Sequence, residues 1–444
     1  MMFEKSVISA ARRLMGRAWE QRGLLEKGFW ALMDQGLFAT SNFALNIMLA
    51  RWLTPREYGA FGIAFAVYLF VGVLHTAVLI EPMLVFCQGR YRERISGYLG
   101  AMLYGHIGFS ILCAPALFGV GVWFVWRGQG EIAISLMALS VACPFTLLLW
   151  LVRRACYARL EPRMAASGGA LYMVLMLAGA FGVYEMGEIS PAAALGVMAI
   201  SSLISSLWLI LRLRVEMPKV SDPLVRDSFR KHWEYGRWSV GNKALSWIPS
   251  NIFYLILPLW GGLGASAAFR SLMNLLMPML QANSALTVLL LPGFVRAREQ
   301  GRLPSRVRLS LVAYVVPPLV YWLVLGVFHE QVMSLAYGDK YAGYAGLLWI
   351  LGFAPVLASM KEVLSQAVRA LERPDWLFLA YAVSTVVLGT LGVLATYLWG
   401  IGGAGVGMMS FQAATTVVVS WTLLVIYRRS SRNSEALAGE GDGT

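Results

Sequence analysis

The chain has 444 residues, of which 58% are hydrophobic and only 14% charged, with a mean hydropathy of +0.63. Ordinary soluble domains carry roughly 25% charged residues, so a water-soluble enzyme or binding domain is excluded. A formal net charge of +13 would suit nucleic acid, but the 37 Lys and Arg gather in short stretches between apolar runs, which makes them a topology signal instead.

In chain order, residues 1–27 come first. The stretch "KSVISAARRLMGRAWEQR" has a basic helical pattern that suits either a segment lying on the inner membrane surface or a frayed terminus. It lacks a short apolar core with a cleavage site, so no signal peptide is expected. Apolar runs of crossing length follow at 28–50, 58–82, 96–126, 131–152, 164–184, 190–211, 238–260, 264–294, 309–328, 343–368, 376–398 and 402–427. The alternating pattern of a membrane barrel is absent. The expected fold is therefore an all-α polytopic membrane protein with about 12 transmembrane helices in two six-helix bundles related by pseudo-two-fold symmetry. With the N-terminus in the cytoplasm, 30 of the 37 cationic residues lie inside and 4 outside (Arg51, Arg56, Arg127, Lys340). That asymmetry predicts a multi-pass membrane protein with both termini in the cytoplasm.

The longest polar stretch between spans, Arg212 to Arg237, divides the chain into an N-terminal bundle (1–213), a cytoplasmic connection (214–237) and a C-terminal bundle (238–428). A tail over 429–444, ending "SEALAGEGDGT", reads as disordered. The halves echo each other: "SNFALNIMLARWL" begins at Ser41 and "SNIFYLILPLWGGL" at Ser250, an offset of 209 residues. Parallel repeats of this kind are common in transporters, with the substrate path between them. Pro249, Pro258, Pro278 and the Pro317–Pro318 pair interrupt later spans, as hinges or as bends that membrane helices tolerate.

The loops leave no room for catalysis. All outer loops are short, the inner ones are basic rather than acidic, and no phosphate-binding loop is present, so the chain is not expected to be an enzyme. His75, His106, His232 and His329 are scattered without metal spacing. Cys87, Cys113, Cys143 and Cys156 lie in or beside spans, which suits neither disulfides nor a metal. No cofactor is expected.

The phrase "ARWLTPREYGAFGIAFAV" between the first two spans resembles the first-loop signature of polysaccharide and lipopolysaccharide biosynthesis flippases, Ala-Arg-x-Leu-x-Pro-x-Glu-Tyr-Gly-x-Phe. These form the oligosaccharide flippase branch of the multidrug/oligosaccharidyl-lipid/polysaccharide exporter superfamily. "LLWLVRRACYARLEPRMAA" and "LAYGDKYAGYAGLLWIL" agree with the same resemblance. Within the motif, Arg51, Pro55, Glu57, Tyr58 and Gly59 are expected to shape the hairpin between the first two helices: Pro55 ends one helix, Glu57 suits the next first turn, and Gly59 allows close packing. The resemblance implies alternating-access transport of a lipid-linked oligosaccharide, usually on undecaprenyl pyrophosphate, from the inner to the outer leaflet for O-antigen, exopolysaccharide or capsule. It also implies polysaccharide polymerase or export proteins as partners.

Charges at bilayer depth are costly unless they face a cavity or a partner. Arg270, Lys243 and Lys361 therefore suit a substrate path for a pyrophosphate or acidic sugar. Arg270 is expected to face the cleft between the halves, on a stripe with Asn274, Met277 and Gln281. Asn42, Asn46, Asn251, Asn274, Gln281 and Asn283 would meet sugar hydroxyls or bond helix to helix. Asp34, Glu81 and Glu362 are the candidates for ion coupling. The structural alternative pairs Asp34 with Lys243 and Lys361 with Glu362. Trp30, Trp238, Trp247, Tyr254 and Trp260 read as interfacial anchors or sugar-stacking rings. Two rival functions are a cation-coupled multidrug exporter of the same superfamily and a non-transporting scaffold for polysaccharide assembly.

Overall fold

A computed structural model describes the backbone of residues 2–287 and 290–441. Side chains are described except at 1–25, 238, 242, 245, 246, 250, 285, 288, 289, 374, 375 and 427–444. The basic N-terminal segment over 1–25, the Trp238 ring and the side chains of the expected tail thus lie outside the described residues.

The described backbone is almost wholly helical, and apolar residues packed around short turns explain why. Helix α1 (Met2–Trp52) is followed by α2 (Pro55–His75), a π turn over Thr76–Ile80, and α3 (Glu81–Phe86). Then come α4 (Ile95–Trp126), α5 (Gly130–Ala158), α6 (Pro162–Glu185) and α7 (Pro191–Leu213). Proline opens α2, α6 and α7, where its missing N–H and fixed φ fit the first turn. At α7 the Ser190 hydroxyl also accepts from the Ala193 N–H at 3.1 Å.

The second half begins with α8 (Pro223–Thr287), kinked at Gly262, whose φ of 68° no side chain adopts easily. It continues through α9 (Leu290–Glu299), α10 (Leu303–Val327), α11 (His329–Tyr337), a 3₁₀ stretch over Gly338–Leu347, α12 (Leu348–Leu351) and α13 (Ala354–Ala370). After α14 (Pro374–Val387) and a π turn over Leu388–Gly392, α15 (Val393–Gly441) bends at Gly400, φ 56°. Its backbone runs helically to Gly441, through most of the segment read from composition as a disordered tail.

Nine stretches among the described residues are long and apolar enough to span a membrane. Twelve crossings were expected; the expected span 28–50, within α1, is not among the nine, and the remaining difference is one of segmentation. The stretch Trp376–Ile426 holds 51 residues, about 75 Å of helix against a hydrocarbon core of about 30 Å, and the Gly400 bend divides it. Gly262 likewise separates the seventh and eighth expected spans within α8.

Two compact units emerge. The first holds residues 1–45 and 67–245; the second holds 46–66 and 246–444. The tip of the first helical hairpin therefore belongs with the second half of the sequence. Within the first unit, α5 packs against α4 and α7, and its Leu136, Leu139, Leu147 and Leu151 are buried. Within the second, Val363, Val368, Leu377 and Val419 form one apolar core with Phe294. There Gly392 and Gly407 let two helices touch backbone to backbone: a Cβ added at Gly407 would sit 2.7 Å from the Gly392 Cα.

Candidate substrate site

The first-loop motif builds a rigid corner. Thr54 precedes α2, Pro55 opens it, and Glu57 closes a capping box: its carboxylate accepts from the Thr54 N–H at 2.9 Å and hydroxyl at 2.8 Å, while the Thr54 hydroxyl accepts from the Glu57 N–H at 3.3 Å. Arg51 donates to the Leu335 carbonyl at 3.0 Å, and Lys340 donates to the carbonyls of Arg51 and Leu53 that end α1. The third resembling phrase, which begins "LAYGDKY", is thus bonded to the first. Gly59 has no room for a side chain, since a Cβ there would lie 2.1 Å from the Leu263 carbonyl oxygen.

Just inside this corner lies Arg270, only 5% exposed. Its Nε and Nη2 donate to the Asn46 Oδ1 at 2.9 and 2.7 Å, and the Tyr58 hydroxyl donates to the same oxygen at 3.4 Å. The guanidinium lies over the rings of Phe65 (4.5 Å), Phe61 (5.1 Å), Tyr58 and Tyr254 (both 5.8 Å). Among the described residues no carboxylate comes within 4.0 Å of it; the nine ion pairs all involve other residues. A buried cation held by one neutral amide and four aromatic faces is prepared to meet an anion.

The rest of the expected stripe is mixed. Asn274 is buried and donates to the Tyr337 hydroxyl at 3.4 Å, Met277 is 38% exposed and Gln281 is exposed. Asn283 is spent on Ser359 at 2.5 Å. Asn42 and Asn251, equivalent in the 209-residue offset, behave alike: each donates to the carbonyl four residues back, Phe38 at 2.9 Å and Trp247 at 3.2 Å. Lys361 is half-buried, and the expected pairing with Glu362 does not form; Glu362 accepts from Gln366 one turn away at 2.8 Å. Neighbours in sequence point about 100° apart on a helix, which explains the miss.

The first unit holds the other charges. Asp34 does not pair with Lys243. Its Oδ1 accepts from Arg153 Nε and Nη2 at 3.0 and 2.7 Å, its Oδ2 accepts from the Tyr157 hydroxyl at 2.7 Å, and Arg153 also lies over the Phe38 ring at 4.2 Å. Lys243 pairs with Glu81 instead, at 2.7 Å, and Ser239 donates to the other Glu81 oxygen at 2.5 Å. Among the aromatic residues, Tyr254 faces Arg270, Trp247 is buried and Trp260 is 45% exposed.

No family model matches the chain. A curated relative, a probable low-salt glycan biosynthesis flippase (Agl15) of Haloferax volcanii, is 21% identical over 382 residues, 84% of this chain and 70% of the relative. The solved inward-facing structure of a multidrug resistance MATE family transporter of the MOP superfamily superposes with a TM-score of 0.71 at 15% identity, over 90% of this chain and 99% of that one. The lipid II flippase MurJ, in an inward closed conformation, gives a TM-score of 0.71 at 11% identity, over 90% and 87%.

This chain has the MOP-superfamily fold. The likeness to a glycan flippase agrees with the resemblance carried by the first-loop phrase. On that fold, the residues that sequence reading passed over are mostly partners. Arg153, Tyr157, Thr54, Lys340, Phe61 and Phe65 each complete a feature whose other half was legible. The Thr54-x-x-Glu57 spacing of a capping box was the one local signal that could have been read directly. The histidines called scattered are not all so: His75 and His106 lie 3.1 Å apart within the first unit.

Proposed function

We propose that this MOP-fold protein moves a lipid-linked oligosaccharide from the cytoplasmic to the outer leaflet of a bacterial inner membrane by alternating access, with both termini in the cytoplasm. The cargo is a glycan on a polyprenyl pyrophosphate such as undecaprenyl pyrophosphate, made for a surface polysaccharide and handed on to polymerase or export proteins. The carrying observation is Arg270: a buried guanidinium with aromatic walls, a neutral acceptor, and no carboxylate among the described residues within ion-pair distance. An anionic diphosphate supplies what that cation lacks. A multidrug exporter for cationic compounds would need a negative lining, and a buried arginine works against it.

Lys243 and Lys361 belong to the same path in this reading, with Asn42, Asn251, Asn274 and Gln281 offering amides to sugar hydroxyls. Of the carboxylates considered for ion coupling, Asp34 and Glu81 are engaged by Arg153 and Lys243, while Glu362 meets the neutral Gln366. The test is export in cells, scored as surface glycan per unit of inserted protein. Arg270→Ala should impair it severely and Arg270→Lys partly, because lysine keeps the charge but loses the planar fork. Wild-type export from a well-inserted Arg270→Ala variant would refute the assignment.

A further inference from the structure

We infer that His75 and His106 together form a proton-binding site in the first unit, with His75 Nδ1 as the atom that receives the proton. His75 ends α2 and is fully buried; His106, on α4, is 5% exposed. Their Nε2 and Nδ1 atoms lie 3.1 Å apart, and His106 Nε2 reaches the Ser110 hydroxyl at 3.4 Å. His75 Nδ1 has no hydrogen-bond partner among the described residues.

Tautomer logic orders this chain. Hydrogen on His75 Nδ1 would leave a buried N–H facing no acceptor, whereas hydrogen on Nε2 can be donated to His106 Nδ1. His75 therefore carries its hydrogen on Nε2 and donates it to His106 Nδ1, and His106 carries its own on Nε2 toward Ser110. The vacant lone pair is left on His75 Nδ1. A proton arriving there makes His75 an imidazolium that still donates Nε2–H to His106, so charge spreads over two rings without any bond being lost.

The surroundings decide what such a proton would do. On α4 the pair is faced by Phe109, whose ring meets His75 edge-on at 5.1 Å, and by Ser110; from α5 it is faced by the Pro144 backbone. On its own element the next residues, Thr76–Ile80, form a π turn. Among the described residues neither ring is in an ion pair with a carboxylate, and the carboxylates of Asp34 and Glu81 are committed to Arg153 and Lys243. A charge in this packing has neither counter-ion nor acceptor for the new N–H. Protonation must therefore be accompanied by movement that brings an acceptor, and a π turn directly after His75 is where a helix can shift its register. A site whose proton affinity differs between two conformations is what couples a proton gradient to a conformational cycle.

The chain has only 4 histidines, so ¹⁵N-histidine solid-state NMR of the full-length protein in liposomes can follow each ring. The probe is the proton itself, titrated from about pH 8 to about pH 3, because a buried ring without a counter-ion binds a proton weakly. The expected result is that His75 and His106 change together, with one proton taken up per pair, while amide signals of Thr76–Ile80 shift in step. His106→Gln should remove the change at His75, and His75→Gln should remove it at His106. Rings that stay neutral across the range, or that titrate independently of each other, would overturn the proposal. Because the measurement needs no cargo, its failure leaves the flippase reading standing, and failure of the flippase reading leaves the proton site standing.

Discussion

Asn46 is the residue on which the Arg270 site turns, since one side-chain oxygen accepts from two guanidinium nitrogens and a tyrosine. Asn46→Ala should destabilise the protein by at least about 2 kcal/mol, because a buried cation loses its acceptor; thermal unfolding in detergent checks this. Asn46→Asp separates folding from function. It supplies a counter-ion, so the fold should be retained, yet export should fall because Arg270 is then satisfied internally. Normal export from Asn46→Asp would mean that the arginine need not stay uncompensated. At Asp34 the sign reverses: Asp34→Asn leaves Arg153 buried without its anion, and a loss of about 3–5 kcal/mol is expected. Arg270 was legible in the sequence as a charge in an apolar run. Its aromatic walls were not, because Phe61, Phe65 and Tyr254 look like any membrane-helix residues until the chain is folded.

The helical elements were legible because hydrophobic runs of the right length admit little else in a membrane. Their joints were less so: the Gly262 and Gly400 bends and the π turn at Thr76 depend on backbone geometry that composition does not encode. Gly59→Ala should disrupt the hairpin corner strongly, since the new methyl would meet a backbone carbonyl that cannot swing aside; the yield of folded protein and its melting temperature are the readouts. Thr54→Ala, which removes a cap only, should lower stability by about 1 kcal/mol. At the start of α8, Tyr98 and the Val78 carbonyl hold His232 through hydrogen bonds of 2.6 and 3.0 Å, and burial lowers its pKa from 6.5 to about 4. The folded state thus disfavours the proton that the unfolded state accepts, so stability here is complete above pH 6.5 and lost as pH falls toward 4. Below that, Asp227, held under its ordinary value of 3.8 by bonds from Arg90 and Tyr91, adds a further loss as it protonates. Amide protection over Pro223–Tyr235, corrected for the intrinsic pH dependence of exchange, should fall on acidification, and His232→Gln should remove the part above pH 4.

At the scale of the molecule, charge asymmetry predicts the orientation, and hydropathy made the fold legible. The fold class agrees with the MOP-fold neighbours. The repeat offset reappears as matching contacts at Asn42 and Asn251. The membership of residues 46–66 in the second unit was not visible, because it depends on long-range contacts such as Asn46 with Arg270 and Arg51 with Leu335. Cysteine labelling at Ser221 in intact cells should fail from outside and succeed after permeabilisation; labelling from outside would invert the map. The proposed activity is carriage of a lipid-linked glycan across a bilayer. Purified protein in sealed liposomes, loaded on one leaflet with a polyprenyl-pyrophosphate oligosaccharide bearing a fluorescent sugar, tests it directly. Wild-type protein should move the label to the opposite leaflet, where a membrane-impermeant quencher no longer reaches it, and Arg270→Ala should not. A label that stays on its leaflet with wild-type protein under proton or sodium gradients of either direction, while a cationic drug is transported, would contradict the account.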